Sequence, residues 1–513
     1  MKKEICFLFL LLGVVAVSFV RTDVSGQTAN RATDRPNIIY IYADDMGYAE
    51  LSCYGQQKIR TPHLDQIARE GIRFTQHYTS TPVCAPARCM LLTGQHGGHS
   101  YIRGNYELGG SPDSLEGGQM PLYPGAYTVG RMLQQAGYKT GCIGKWGLGM
   151  ANTTGDPNRQ GFDYFYGYLD QKQAHNQYPT HLWENGKPDR LNNPVINVQR
   201  RLTPETATPE AFAAFRGNDY AIDKMAQKAQ AFVRQHRNGP FFLYLPFTAP
   251  HVSLQAPEAA VREYIGAFDD NENAERPYLG QKGFASTPYP RATYAAMITH
   301  MDKQIGALMA LLKELKLDDN TLVMFSSDNG AGFNGGAETT YFRSVGNLRG
   351  QKLDVYEGGI REPMLARWPG RIPAGSLTNH ASVQFDLLAT LADLTGVKLP
   401  VKTDGISFLP TLLGQPARQR QHPFLYWEFP EKGGQLAVRI GDWKAVKTNV
   451  RTNRKGPWEL YDLSKDISET TDVADQHPDL IQRADAVVER EHVPSHIKEW
   501  EIVNPKIATA VVE

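Results

Sequence analysis

The sequence predicts an α/β protein: a large, mixed, mostly parallel sheet flanked by helices, followed by a smaller C-terminal antiparallel sheet with one helix. Three observations carry that prediction. Short apolar runs rich in β-branched and aromatic residues alternate with amphipathic helical stretches from Asn37 to about Gly396, the pattern of strands buried on both faces. Two of those runs stop at polar pairs, Asp44-Asp45 and Asp328-Asn329. Beyond about Gly405 helices become scarce and strand-like runs follow one another.

Taken in order, Asn37 to Ala43 (NIIYIYA) reads as a buried strand. TPHLDQIAREG then reads as a helix, with Thr61 as cap, Pro62 in the first position and Gly71 as the stop. TVGRMLQQAG, from Thr128, is a helix, and YKTGCIGK a strand and turn. NDYAIDKMAQKAQAFVRQH, from Asn218, is an amphipathic helix leading into the strand PFFLYLPF. ATYAAMITHMDKQIGALMALLKEL, from Ala292, is a long helix before the strand TLVMFSS. SVQFDLLATLADLTG, from Ser382, is another helix. In the last part HPFLYWEF, QLAVRIGDWKAVKT and PWELYDLS are strand-like, and HPDLIQRADAVVEREH is a late helix. The expected division is a leader over 1–26, a large α/β domain over 27–405 and an α+β subdomain over 406–513.

Lys+Arg and Asp+Glu both number 54 in 513 residues, a balance that gives no support for a nucleic-acid partner. The opening, MKKEICFLFLLLGVVAVSFV, places two lysines before an apolar run and reads as a secretory signal peptide, with a retained anchor as the alternative. A periplasmic or secreted protein with no stable membrane span after signal removal is the expectation. Without Cys6 of the leader, four cysteines remain: Cys53, Cys84, Cys89 and Cys142. They could form two disulfides in an oxidising compartment, or one could serve another purpose.

The polar pairs at the two strand ends suggest a hard divalent cation, Ca²⁺ or Mg²⁺, because ligands gather beyond the carboxyl ends of strands in open α/β sheets. Each pair alone also reads as an ordinary turn. In CAPARCMLLTG, Pro86 suits the first turn of a helix and puts Cys84 at its positive end, with Arg88 four residues on along the same face. Cationic surroundings lower a thiol's pKa and attract anions. A buried apolar cysteine and a disulfide partner for Cys89 are the other readings.

Cys-x-Pro-x-Arg followed by Leu-Leu-Thr-Gly resembles the signature of the formylglycine-dependent sulfatases, members of the alkaline phosphatase superfamily. IYADDMG and SSDNG resemble that family's two metal clusters, GCIGKWGLG its Gly-Lys-Trp motif, APHVS its Pro-His segment, and RGQKLDVYEGGIREP its lysine-bearing loop. ELYDLSKDISETTDVA is similar to its C-terminal subdomain. The motifs occur in the family's order and span nearly the whole chain after the leader.

The resemblance implies that Cys84 is oxidised to Cα-formylglycine by a maturation enzyme. It implies further that Asp44, Asp45, Asp328, Asn329 and the modified Cys84 hold one Ca²⁺ per chain. A hydroxyl of the aldehyde hydrate would attack sulfur, aided by the metal and a carboxylate such as Asp328. Arg88, Lys145 and Lys352 would surround the sulfuryl oxygens, and His251 with Lys352 would protonate the departing alcohol. The sequence departs from the family at Gly147, where many members carry the histidine that assists sulfate release. His96 and His99 are the expected substitutes or substrate contacts, with water or Lys145 otherwise. Arg103, Asn105 and Tyr101 are expected sugar contacts. The implied activity is sulfate monoester hydrolysis, on a sulfated carbohydrate by family habit. A phosphonate or phosphate ester hydrolase of the same superfamily, and a non-catalytic glycan-binding homologue with an unmatured Cys84, are the alternatives.

Overall fold

The first expected strand forms β1 (Asn37–Asp44), and it lies inside the main sheet rather than at its edge. All of its residues are buried. Ile39, Ile41 and Ala43 pack into one apolar cluster, and Ile38, Tyr40 and Tyr42 into another on the opposite face. This alternation is what a strand covered on both sides requires. The computed structural model describes Met1 and residues 35–110, 115–268, 275–281 and 283–504. The expected leader, Met1 apart, lies outside the described residues. Among the described residues no helix is long and apolar enough to cross a membrane.

The large sheet continues with β2 (Ile72–Tyr78), β3 (Lys139–Lys145), β4 (Tyr164–Tyr168), β5 (His181–Glu184) and β6 (Lys187–Arg190). It is completed by β7 (Phe241–Pro250), β8 (Thr321–Ser327), β9 (Arg361–Arg367), β10 (Ser376–Thr378) and β11 (Ser382–Val383). The spatial order is β10-β2-β9-β8-β1-β7-β3-β4-β5-β6, with β11 also on β2. The inner pairs β8·β1, β1·β7, β7·β3 and β3·β4 are parallel, while β2·β9, β8·β9, β4·β5 and β5·β6 are antiparallel. The expected mixed, mostly parallel sheet is therefore the observed one.

Helices cover both faces. Pro290–Glu314 contributes Met297, Ile298, Met301 and Ile305 to the first cluster. The second cluster takes Leu91 and Leu92 from the Cys84–Thr93 helix and Leu387, Leu388 and Leu391 from Asp386–Thr395. Pro62–Glu70 forms as expected, but Thr61 does not cap it with its side chain. The carboxylate of Asp302 does so instead, accepting from the backbone N–H of His63 (3.2 Å) and Leu64 (2.8 Å). A long-range partner has replaced the local one.

The C-terminal sheet is antiparallel, in the order β12 (Leu425–Phe429), β13 (Gln435–Ile440), β14 (Trp443–Lys447), β15 (Glu459–Asp462). The strand-like run QLAVRIGDWKAVKT is divided at Gly441-Asp442 into β13 and β14. The helix Pro478–Glu491 packs on this sheet through Leu480, Ala484, Val487 and Val488. A buried ammonium fastens it to the rest of the molecule: Lys444 Nζ lies 2.9 Å from Glu357 Oε1 and 2.9 Å from Glu469 Oε1. Trp427 Nε1 also donates to the Thr79 carbonyl (2.8 Å), just ahead of Cys84.

Candidate active site

Sheet register gathers the site. In β1 and β8, Tyr42 pairs with Ser326 and Ala43 with Ser327, so Asp44-Asp45 and Asp328-Asn329 leave adjacent strands at the same level. On the other side Asp44 pairs with Pro250 of β7, which delivers His251, and β3 beyond it ends at Lys145. Four neighbouring strands at about 4.8 Å spacing thus bring their carboxyl ends together.

The Cys84–Thr93 helix points its first residue at this rim. Cys84 Sγ lies 3.5 Å from Asp44 Oδ1, 3.8 Å from Asp45 Oδ1 and 3.5 Å from Lys352 Nζ. Arg88, one turn on, places Nη2 2.7 Å from Asp328 Oδ2 and 3.6 Å from Asp44 Oδ1, and donates from Nη1 to the Lys145 carbonyl (2.8 Å). Lys145 Nζ is 2.6 Å from Asp44 Oδ2, and Lys352 Nζ is 2.7 Å from Asp45 Oδ1. Lys352 reaches in from the loop before β9, and its side chain is 13% exposed where that of Lys145 is 0%. The pocket therefore opens on the Lys352 side.

Three carboxylates (Asp44, Asp45, Asp328) face three cations (Arg88, Lys145, Lys352). Burial works against ionised Asp44, but Lys145, His251, Arg88 and Lys352 outweigh it and hold its pKa well below the usual range. At Asp328, burial and repulsion from Asp44 prevail over Arg88 and Lys145 and push the carboxyl up to about 7. Burial likewise raises the Cys84 thiol, despite Lys145 and Lys352. An unmodified thiol here is a poor nucleophile, since the reactive form is the thiolate. His251 donates from Nδ1 to the Val252 carbonyl (2.5 Å), leaving Nε2 3.5 Å from Asp45 Oδ2. Burial lowers its pKa to about 4, so the ring is neutral at physiological pH.

The donor set fits a cation. Asp44, Asp45, Cys84 and His251 each offer a ligand atom within 4.8 Å of the others. Asn329 donates through Nδ2 to Asp45 Oδ1 (2.7 Å), while its own Oδ1 is buried without a hydrogen-bond partner. An orphaned carboxamide oxygen among carboxylates is what a hard divalent ion would satisfy. Asp45 holds its place with φ +64°, in the left-handed region that residues other than glycine seldom adopt.

Of the residues expected from sequence, Asp44, Asp45, Cys84, Arg88, Lys145, His251, Asp328, Asn329 and Lys352 come together. His96, His99 and Arg103 do not join them. The helix from Cys84 to Thr93 advances the chain by roughly 15 Å, and Gly94 then turns it toward the C-terminal sheet. His99 Nδ1 sits 2.9 Å from Asp404 Oδ1, and His96 accepts the Gly98 N–H on Nδ1 (3.1 Å) and faces Glu491 with Nε2 (3.4 Å). Arg103 pairs with Glu428 (3.0 Å) and donates to the Gly98 and Val493 carbonyls. These contacts tie the segment to the C-terminal part of the chain. Tyr101 stacks on His496 (3.9 Å between centroids). Asn105 does return to the site, its Oδ1 accepting the Ala85 N–H (3.3 Å). Cys53, Cys84, Cys89 and Cys142 are all unpaired.

The Sulfatase family profile matches residues 36–397, and a second profile, N-sulphoglucosamine sulphohydrolase, C-terminal, matches residues 351–489. The chain belongs to the sulfatase family. It is 30% identical to N-acetylgalactosamine-6-O-sulfatase of Bacteroides thetaiotaomicron, over 95% of this chain and 99% of that protein. It is 34% identical to human arylsulfatase A, over 87% of this chain and 86% of the other. Among solved structures, Ps i-CgsB superposes with a TM-score of 0.70 at 29% identity, covering 89% of this chain and 92% of that one. The phosphonate monoester hydrolase of Agrobacterium radiobacter shares the fold at 21% identity, with a TM-score of 0.58, over 89% of this sulfatase and 95% of that chain. This sulfatase is a sulfuric ester hydrolase.

Proposed function

We propose that this sulfatase is an exported enzyme that removes sulfate from a sulfated carbohydrate, using Cys84 matured to Cα-formylglycine and one Ca²⁺ bound by Asp44, Asp45, Asp328, Asn329 and residue 84. One observation carries the reading: residue 84 lies within 4 Å of both Asp44 and Asp45 and of Lys352, at the open side of a cluster of buried charges. The carbohydrate is supported by the relatives, which include N-acetylgalactosamine-6-O-sulfatase and a Ps i-CgsB structure in complex with k-i-k-neocarrahexaose.

With all three carboxylates ionised the cluster's charges cancel, three against three, so a divalent ion would leave a net +2 facing an anionic ester. The ion would supply Lewis acidity at the sulfuryl oxygens. The aldehyde hydrate would supply an oxygen nucleophile in place of a thiol that burial keeps protonated. The other work falls to this chain's own side chains. Lys145 and Arg88, both buried, fix Asp44 and Asp328 and set a positive wall behind the sulfuryl group. Lys352, ionised and partly open, reaches the ester from the pocket's mouth. As the S–O bond breaks, its electron pair goes to the alcohol oxygen, which takes its proton from the Lys352 ammonium; His251, neutral in the free pocket, would serve as donor only after a bound anion has raised its pKa and the ring has taken up a proton.

Mass spectrometry of the peptide containing residue 84, after expression in the native host, should find the aldehyde. Matured protein should hydrolyse position-defined sulfated saccharides faster than the matching phosphate esters. A free thiol together with saccharide binding but no turnover would favour the glycan-binding alternative, and faster phosphate or phosphonate turnover would favour the other hydrolase.

A further inference from the structure

Gly147 stands where an imidazole is missing. The backbone there takes φ +73°, and a Cβ at this position would lie 3.1 Å from Gln171 Oε1. That carboxamide is 2% exposed. Its Nε2 donates to Asn105 Oδ1 (3.2 Å), the same oxygen that accepts the Ala85 N–H (3.3 Å). The space beside Gly147 is therefore occupied by Gln171, which is joined through Asn105 to the peptide following Cys84.

Gln171 belongs to the segment after β4, and the next turn of that segment, Gln173–His175, carries a histidine. The ring of His175 lies parallel to that of His251, with centroids 4.8 Å apart and planes 12° apart. Its carbonyl accepts the Ser253 N–H (3.1 Å), which fixes the segment against the end of β7. Lys145, Lys352 and Asp44 all act on the ring electrostatically, so it shares the pocket's charge environment. The ring is half-buried, and neither nitrogen has a hydrogen-bond partner among the described residues. An imidazole held by stacking, with its nitrogens unspent beside a cluster of buried cations, is arranged to meet a ligand.

We infer that His175 is a further catalytic residue of this sulfatase: from the segment whose Gln171 lies against Gly147, its imidazole donates a ring N–H to a sulfuryl oxygen of the ester. The inference rests on the sulfatase reading above. It also gives a role to the open nitrogens of this ring, where His96 and His99, the expected substitutes, are bonded to Glu491 and Asp404 away from the pocket.

The test uses matured full-length protein as wild type, His175→Ala and His175→Asn, with 4-nitrophenyl sulfate for turnover and inorganic sulfate for calorimetric binding. Loss of one hydrogen bond to a charged group predicts a fall in kcat/KM of about 10- to 100-fold in His175→Ala and a weaker sulfate Kd by about 10-fold. His175→Asn, which keeps an N–H donor, should recover part of both. In wild type labelled with ¹⁵N-histidine, the ring resonance absent from His175→Asn should shift on adding sulfate. Wild-type turnover and binding within about twofold in His175→Ala, or no shift of that resonance, would overturn the role of His175 alone. Wild type inactive on this ester and on defined sulfated saccharides would overturn the sulfatase reading and the inference with it. Should His175→Ala not fold by circular dichroism, the asparagine variant and the resonance decide.

Discussion

Two lysines in one pocket differ in burial, and that difference separates their expected effects. Lys145 is fully enclosed against Asp44, while Lys352 is partly open beside Asp45. Lys145→Ala should lower kcat by at least about 100-fold and also cost about 3–5 kcal/mol of stability, because it leaves a buried carboxylate short of its partner. Lys352→Ala should lower kcat similarly with a much smaller stability loss. Steady-state kinetics and urea unfolding on both variants check this; equal stability losses would contradict it. The groups at strand ends were legible in the sequence because a strand's carboxyl end is where an α/β sheet binds, and the CAPAR motif added Cys84 and Arg88. His96, His99 and Arg103 stand close to Cys84 in sequence, but a whole helix separates them in space, a distance that spacing along the chain does not reveal. Gln171 and His175 were out of reach of pattern reading. Only the pairing of β4 beside β3 brings their segment to the pocket, and neither residue belongs to a motif.

Among elements, the helix Pro62–Glu70 shows how a correct boundary can rest on the wrong cause. Its ends were readable from Pro62 and Gly71, yet its free N–H groups are satisfied by Asp302 from the long helix Pro290–Glu314. Asp302→Ala should cost about 1–2 kcal/mol, as loss of a helix cap does, while Thr61→Ala should not act through capping. Denaturant midpoints of the two variants provide the comparison. The hairpin β5–β6 carries a strong two-residue turn signal, Asn185-Gly186, with φ +46° and +77°. Its strands, HLWE and KPDR, have too little apolar alternation to announce themselves. β13 and β14 look like one run in sequence because only Gly441-Asp442 interrupts them.

At the scale of the molecule, the C-terminal sheet is held by buried charge as well as by apolar contact. His492 contributes, with Nδ1 3.0 Å from Glu428 and Nε2 3.1 Å from Glu501. Burial disfavours its charge, but the two glutamates prevail and raise its pKa to about 9. An unfolded histidine titrates near 6.5, so the folded state binds this proton more tightly. The contribution is complete below about pH 6.5 and is lost as pH rises through 9; it amounts to at most about 3 kcal/mol. The melting temperature should fall over that window in wild type and fall less in His492→Asn. Identical slopes would rule the clasp out. The Lys444 bridge to Glu357 and Glu469 has another consequence, because Glu357 stands five residues beyond Lys352. Chimeras that graft the last hundred residues of one homologue onto another would inherit a mismatched anchor for that lysine. They should mis-set its ammonium even where every residue around position 84 is native.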